Sequence, residues 1–171
     1  MRKSVLKDQD VQGNAEKFDA YREAWTRIKQ AQENEFFLEA ITIQESIISD
    51  RLVSFLSRPG ASNSFIKARE KGRFVSFYQL IQAWQEEFPD GLKHPKPTDE
   101  DLIEQVNLWR CSRNDAIHAI VKSEPGTPTK PIDEFLETAK KVAERGTELA
   151  KAVCIWQKSE KRKQDSSPAS V

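Results

Sequence analysis

One short polar stretch of the chain combines residue types that could do acid–base chemistry on an anionic substrate. Residues 113–118 read RNDAIH. Histidine exchanges protons near neutral pH, so His118 could act as a general acid or base. Arginine keeps its charge and offers a planar fork of donors that suits phosphate oxygens, which makes Arg113 a candidate for stabilising negative charge. Asn114 could donate to the same anion or orient the histidine. These three are the candidate catalytic residues.

The geometry of a helix decides whether these side chains can act together. Asn114 and His118 are four residues apart and would share a face. Arg113 lies about 140° away from His118 around the helix, so only its long side chain could reach the same groove. The alternative is structural: His118 could be hydrogen-bonded at the edge of a core, with Arg113 paired to a carboxylate.

Five amphipathic segments are available to position this stretch. Apolar residues recur at helical spacing over about 15–32, 36–56, 74–88, 98–122 and 132–157, and Pro or Gly separates most of the segments. Thr98, with Asp101 three residues later, approximates a capping box for the segment that carries RNDAIH. Within that segment, Trp109 is a plausible dimer contact. No strand pattern is visible, so the sequence predicts an all-α bundle of about five helices.

The stretch RNDAIH resembles the signature of the HEPN family, an Arg four to six positions before a His on a late helix of a compact bundle. The segment from Glu35 to Leu52 also looks like the long early helix of such domains, and the resemblance covers about residues 15–157. It implies an endoribonuclease that needs no metal or cofactor, in which the RNA 2′-hydroxyl attacks the phosphodiester. It also implies a composite site in a homodimer and a toxin or phage-defence role with an antitoxin or other regulatory partner. Ile120 stands where some members carry a modified Tyr, which puts that form of regulation in doubt.

Other polar residues carry weaker signals. Lys67, Arg69, Lys71 and Arg73 form the densest basic stretch and are the candidate RNA-binding residues, although such a run is also typical of a solvated loop. Glu45, Asp50 and Arg51 interrupt an apolar helix and could orient the site or face solvent, and the pattern favours solvent. His94, in the loop His94-Pro95-Lys96-Pro97, is expected to lie at the surface.

Composition limits the remaining function classes. The chain has 171 residues and equal numbers of acidic and basic residues, so any RNA-binding surface must be local. No phosphate-binding glycine motif or zinc-ligand cluster is present, and no metal site is expected. The two cysteines, Cys111 and Cys154, are expected to be reduced, and the absence of a signal sequence or membrane span predicts a cytoplasmic protein.

The domain organisation follows from the same patterns. Residues 1–13 are predicted to be a flexible N-terminus, 14–157 a HEPN-like helical domain and 158–171 a disordered polar tail. The alternative to a ribonuclease is a non-catalytic helical module that binds a protein partner or nucleotide, or a regulatory subunit of a separate enzyme. The RNDAIH stretch favours the ribonuclease, and the neutral net charge favours the module.

Overall fold

Five α-helices make up the part of the chain that the structure describes. The structure, a computed structural model, describes residues 2–58, 75–96, 99–119 and 131–166, and gives side chains from residue 15 onward except at 164 and 165. The helices are α1 (Arg2–Glu33), α2 (Phe37–Leu56), α3 (Phe77–Glu87), α4 (Leu102–Ala119) and α5 (Ile132–Ser166). For the described residues, the prediction of an all-α bundle of about five helices is confirmed. Within the described ranges, strand-like pairing is limited to a single bridge between Lys93 and Asp101.

Helices α2 and α5 form the centre of the bundle. They run in the same direction, because Gln44 contacts Ala143 early in each helix and Phe55 packs on Trp156 late in each. Helix α1 folds back on α2 through a tight turn in which Glu35 has a φ of 61°. Helix α4 runs antiparallel to α5, because Trp109 contacts Val142 whereas Gln105, earlier in α4, contacts Arg145, later in α5. Helix α3 packs against α2 and α4.

Aromatic side chains fill one end of the core. Trp156 lies 4.7 Å from Phe55, 4.8 Å from Trp84 and 5.9 Å from Phe88, measured between ring centroids. Tilted and edge-on ring pairs at these separations add to the stability that burial alone provides. The apolar periodicity of α2, α4 and α5 therefore corresponds to one continuous core.

A polar contact fixes the crossing of α2 and α5. Gln44 is fully buried, and its Nε2 donates to the Ala143 carbonyl at 2.8 Å and to the Thr147 hydroxyl at 2.9 Å. Gly146 makes the close approach possible, because a Cβ there would overlap the Gln44 amide and lie 2.7 Å from the Trp109 ring. The absence of a side chain at Gly146 thus lets α2, α4 and α5 meet.

The outermost helices extend further than the apolar pattern predicts. Helix α1 begins at Arg2, although the pattern starts near Ala15, and α5 continues past Gln157 to Ser166. A helix already held by packing can continue through polar residues, aided at the end of α5 by the pair between Lys163 and Glu160 at 2.7 Å. The flexibility expected of residues 1–13 and 158–171 stays a prediction.

Candidate active site on helix α4

The start of α4 is anchored by Asp101. Its Oδ1 accepts hydrogen bonds from the backbone N–H of Ile103 at 2.7 Å and Glu104 at 2.9 Å, and its Oδ2 accepts from Leu92 N–H at 2.9 Å. Asp101 is therefore the N-cap of α4. The sequence instead predicted a capping box that begins at Thr98. Thr98 itself lies outside the described residues. The preceding turn places Gly91, with a φ of 83°, directly against the Asp101 carboxylate.

Trp109 fixes the middle of α4. It is buried, its indole N–H donates to the Val142 carbonyl at 2.9 Å, and its ring meets Phe77 edge-on at 6.3 Å. The expectation that Trp109 is a dimer contact is wrong, because the ring is enclosed by its own chain. This anchor sets the rotation of α4 and hence the direction of each residue in the RNDAIH stretch that follows one turn later.

Arg113 lies on the side of α4 that faces α2. Its guanidinium forms an ion pair with Glu45 of α2, and both side chains are mostly buried, at 24% and 18% exposure. A second nitrogen of the guanidinium donates to the Asn114 amide oxygen at 2.5 Å. Burial lowers the pKa of Arg113, but an arginine keeps its proton in proteins. The charge of Arg113 is thus held in a fixed orientation by two neighbours.

His118 lies on the solvent side of α4, in a stripe with Leu108, Cys111 and Asp115. Among the residues that the structure describes, its imidazole forms no hydrogen bond or ion pair. Within the described part of the chain it is therefore exposed and unpaired. Asn114, half-buried one turn earlier, borders the same stripe. A single chain joins Arg113 to Asn114 but does not bring Arg113 to His118.

Arg110 is a further candidate active residue, which the sequence pattern did not indicate. It precedes Asn114 and His118 by four and eight residues, so the three lie along one side of α4. Its Nε donates to Asn107 at 3.1 Å, and its guanidinium lies 4.8 Å from the centre of the Tyr78 ring. It forms no ion pair within the described residues. The spacing Arg-x7-His could have indicated this residue, because it places Arg110 closer to His118 around the helix than Arg113 is.

The polar residues of α2 do not face solvent as expected. Glu45 pairs with Arg113, the Asp50 carboxylate accepts from the Tyr21 hydroxyl at 2.6 Å, and the Arg51 guanidinium lies 4.0 Å from the centre of the Tyr21 ring. All three are half-buried contacts between helices. A polar residue on an apolar helix can thus be satisfied by a partner distant in sequence.

His94 is buried, not at the surface as its loop sequence predicted. It is 5% exposed, and its Nδ1 accepts a hydrogen bond from Lys96 N–H at 3.1 Å. The loop turns back on the start of α4, with His94 N–H donating to the Glu100 carbonyl at 3.3 Å, and this turns the side chain inward.

The predicted RNA-binding residues Lys67, Arg69, Lys71 and Arg73 lie outside the described residues. Within the described part of the chain, no group of three or more His, Cys, Asp or Glu side chains could hold a metal ion. None of the described helices is long and apolar enough to cross a membrane.

Comparison with known proteins adds no relative. No model of a known protein family, no curated protein and no solved structure matches the chain. The interpretation of the site therefore depends on its own geometry.

Proposed function

We propose that the chain is a metal-independent endoribonuclease of the HEPN type, with Arg113, Asn114 and His118 as its active residues. One observation carries the proposal: His118 is exposed on α4 beside Asn114, which holds the charged Arg113 in place. Such a set can move a proton and stabilise the charge of a phosphorane. RNA supplies its own nucleophile, the 2′-hydroxyl, so the protein needs only a base, an acid and a cation.

A second copy of the chain would complete the site. The reaction moves two protons, one from the 2′-hydroxyl and one to the leaving 5′-oxygen. Two side chains serve this transfer best, and one chain offers a single exposed histidine. A two-fold dimer would pair two His118 side chains across the axis.

An apolar surface at the His118 end of the bundle supports this dimer. Trp109 of α4 contacts Val142 of α5, and His118 lies about 13 Å further along α4, toward the start of the antiparallel α5. There Ile132 is 59% exposed, and Phe36, before α2, is 62% exposed. A groove of about 380 Å³ lies between the starts of α2 and α5 and is lined by Phe37, Leu38, Phe135 and Leu136. Exposed apolar surface of this kind is typical of protein interfaces.

The test is cleavage of total RNA and tRNA in EDTA by the wild-type protein and by Arg113→Ala, Asn114→Ala and His118→Ala. The control is Ser112→Ala, which alters an exposed residue on the same helix. Wild type and control should cleave, and His118→Ala and Arg113→Ala should lose at least 100-fold in rate, since acid–base catalysis contributes about 10²–10⁴-fold. Asn114→Ala should lose less, because it removes a supporting contact. Cleavage that survives in His118→Ala would reject the proposal.

The second candidate is a non-catalytic helical module that binds a regulatory protein. The observation that favours it is the ion pair between Arg113 and Glu45, because an arginine already neutralised by a carboxylate can serve structure alone. Under this reading Arg113→Ala would destabilise the protein, and no variant would differ in RNA cleavage. The proposed dimer surface would then bind a different protein, such as an antitoxin-like partner.

A further inference from the structure

A second polar site lies away from His118, between α1, the end of α2 and the C-terminal half of α5. It is a cavity of about 320 Å³ whose walls carry four basic side chains, Lys17, Arg51, Arg58 and Lys161. The cavity lies toward the ends of α2 and α5, whereas His118 lies level with their starts. Along the axis of α2, Arg51 is about 9 Å and Arg58 about 20 Å from Glu45, the partner of Arg113. The cavity is therefore separate from the proposed active site.

The basic residues of this cavity exceed the acidic residues that pair with them. Lys17 pairs with Asp50 at 3.0 Å, and Arg58 pairs with Glu87 at 3.0 Å. Arg51 and Lys161 form no ion pair with any carboxylate whose side chain the structure describes. Among the described side chains, the cavity thus carries two more positive than negative charges, although the chain as a whole is neutral. A local surplus of this kind attracts an anion.

Aromatic rings hold the two arginines in place. Arg51 lies over the ring of Tyr21 at 4.0 Å, and Arg58 lies over the ring of Phe55 at 3.5 Å. Tyr21 is fixed in turn by its hydrogen bond to Asp50, and burial together with that bond raises the pKa of Tyr21, so the hydroxyl stays protonated. The Nε of Arg51 is buried and has no hydrogen-bond partner among the described residues. Stacked guanidinium groups lose little freedom when they bind an anion.

We infer that this cavity binds the phosphate group of a small phosphorylated molecule of mononucleotide size. Arginine forks match phosphate oxygens, and Ser54 and Gln157, also in the wall, can add hydrogen bonds. The volume lies at the lower end of the range of about 300–1,000 Å³ found for small-molecule sites, so more than a bare phosphate ion fits. The site does not depend on the proposed ribonuclease activity.

Isothermal titration calorimetry of the full chain with inorganic phosphate, AMP, adenosine and a short RNA tests this inference. AMP should bind, inorganic phosphate should bind more weakly, and adenosine should not bind. Arg51→Gln and Lys161→Glu should each weaken AMP binding at least 10-fold. Lys161 is exposed, so its variant should fold normally even if Arg51→Gln does not. Lys140→Glu, the same charge change at an exposed position near the start of α5, should bind AMP as wild type does.

Four outcomes would overturn the inference. One is no binding of AMP or phosphate at millimolar concentration. Another is equal binding of adenosine and AMP, which would show that the phosphate is not recognised. The third is AMP binding that Lys161→Glu and Lys140→Glu change equally, which would indicate non-specific attraction to charge. Binding of a short RNA that is lost in Lys161→Glu, without AMP binding, would assign the cavity to a nucleic-acid backbone instead.

Discussion

At Arg113, two neighbours hold one guanidinium group. Glu45 reaches it from α2, and Asn114 accepts a hydrogen bond from it within α4. An ion pair of this kind can orient an arginine for catalysis or can simply join two helices. The sequence predicted the types of residue in the site but not this pair, because Glu45 and Arg113 are far apart in the chain and only the packing of α2 on α4 brings them together. Separate measurements of stability and activity distinguish the two roles.

The ion pair between Glu45 and Arg113 should contribute measurably to the free energy of unfolding. Glu45→Gln and Arg113→Met should each lower the free energy of unfolding by about 1–3 kcal/mol, because each leaves a mostly buried polar partner unpaired. The double variant should lose less than the sum of the single losses by at least about 1 kcal/mol. Urea unfolding checks this. The control is Glu137→Gln, which breaks the exposed pair with Lys141 and should cost no more than about 1 kcal/mol. Additive losses would show that the two side chains do not interact.

Among the elements, the interiors of the helices were predictable and their ends were not. The apolar stripes of α2 and α4 recur every three to four residues and correspond to the buried residues of those helices. The start of α1 and the end of α5 lack this apolar periodicity, because their residues are mostly polar and do not pack in the core. The start of α4 depends on how a loop folds back, which places Asp101, not Thr98, at the cap and turns His94 inward. Such contacts depend on tertiary structure.

Asp101 should govern the stability of α4. Asp101→Ala removes the acceptor for three backbone N–H groups, two of them in the first turn of α4. It should cost about 1–2 kcal/mol of unfolding free energy, the upper part of the usual range for an N-cap, because the Leu92 N–H also loses its acceptor. Asp99→Ala removes an exposed acidic side chain two residues earlier and should lower the free energy of unfolding by no more than about 0.5 kcal/mol. Urea unfolding of both variants checks the prediction, and equal losses would contradict it.

For the whole molecule, the proposed activity depends on a second copy. The sequence could not show which surface would form the dimer, because the exposed Phe36 and Ile132 belong to apolar stripes that otherwise look like core. Wild type should be a dimer at micromolar concentration by light scattering, and Phe36→Glu and Ile132→Glu should shift it toward monomer. Phe18→Glu, which alters a 67% exposed residue on α1, should leave the dimer intact. A wild-type monomer, or a dimer that neither variant affects, would contradict the composite site.

The most direct test of the account is the chemistry of the RNA ends. Purified protein would cleave RNA in EDTA, and mass spectrometry would identify the terminal groups of the products. Attack by the 2′-hydroxyl predicts 2′,3′-cyclic phosphate and 5′-hydroxyl ends from the wild type, and their loss in His118→Ala. Products with 3′-hydroxyl and 5′-phosphate ends, or cyclic ends that His118→Ala still makes, would contradict the account.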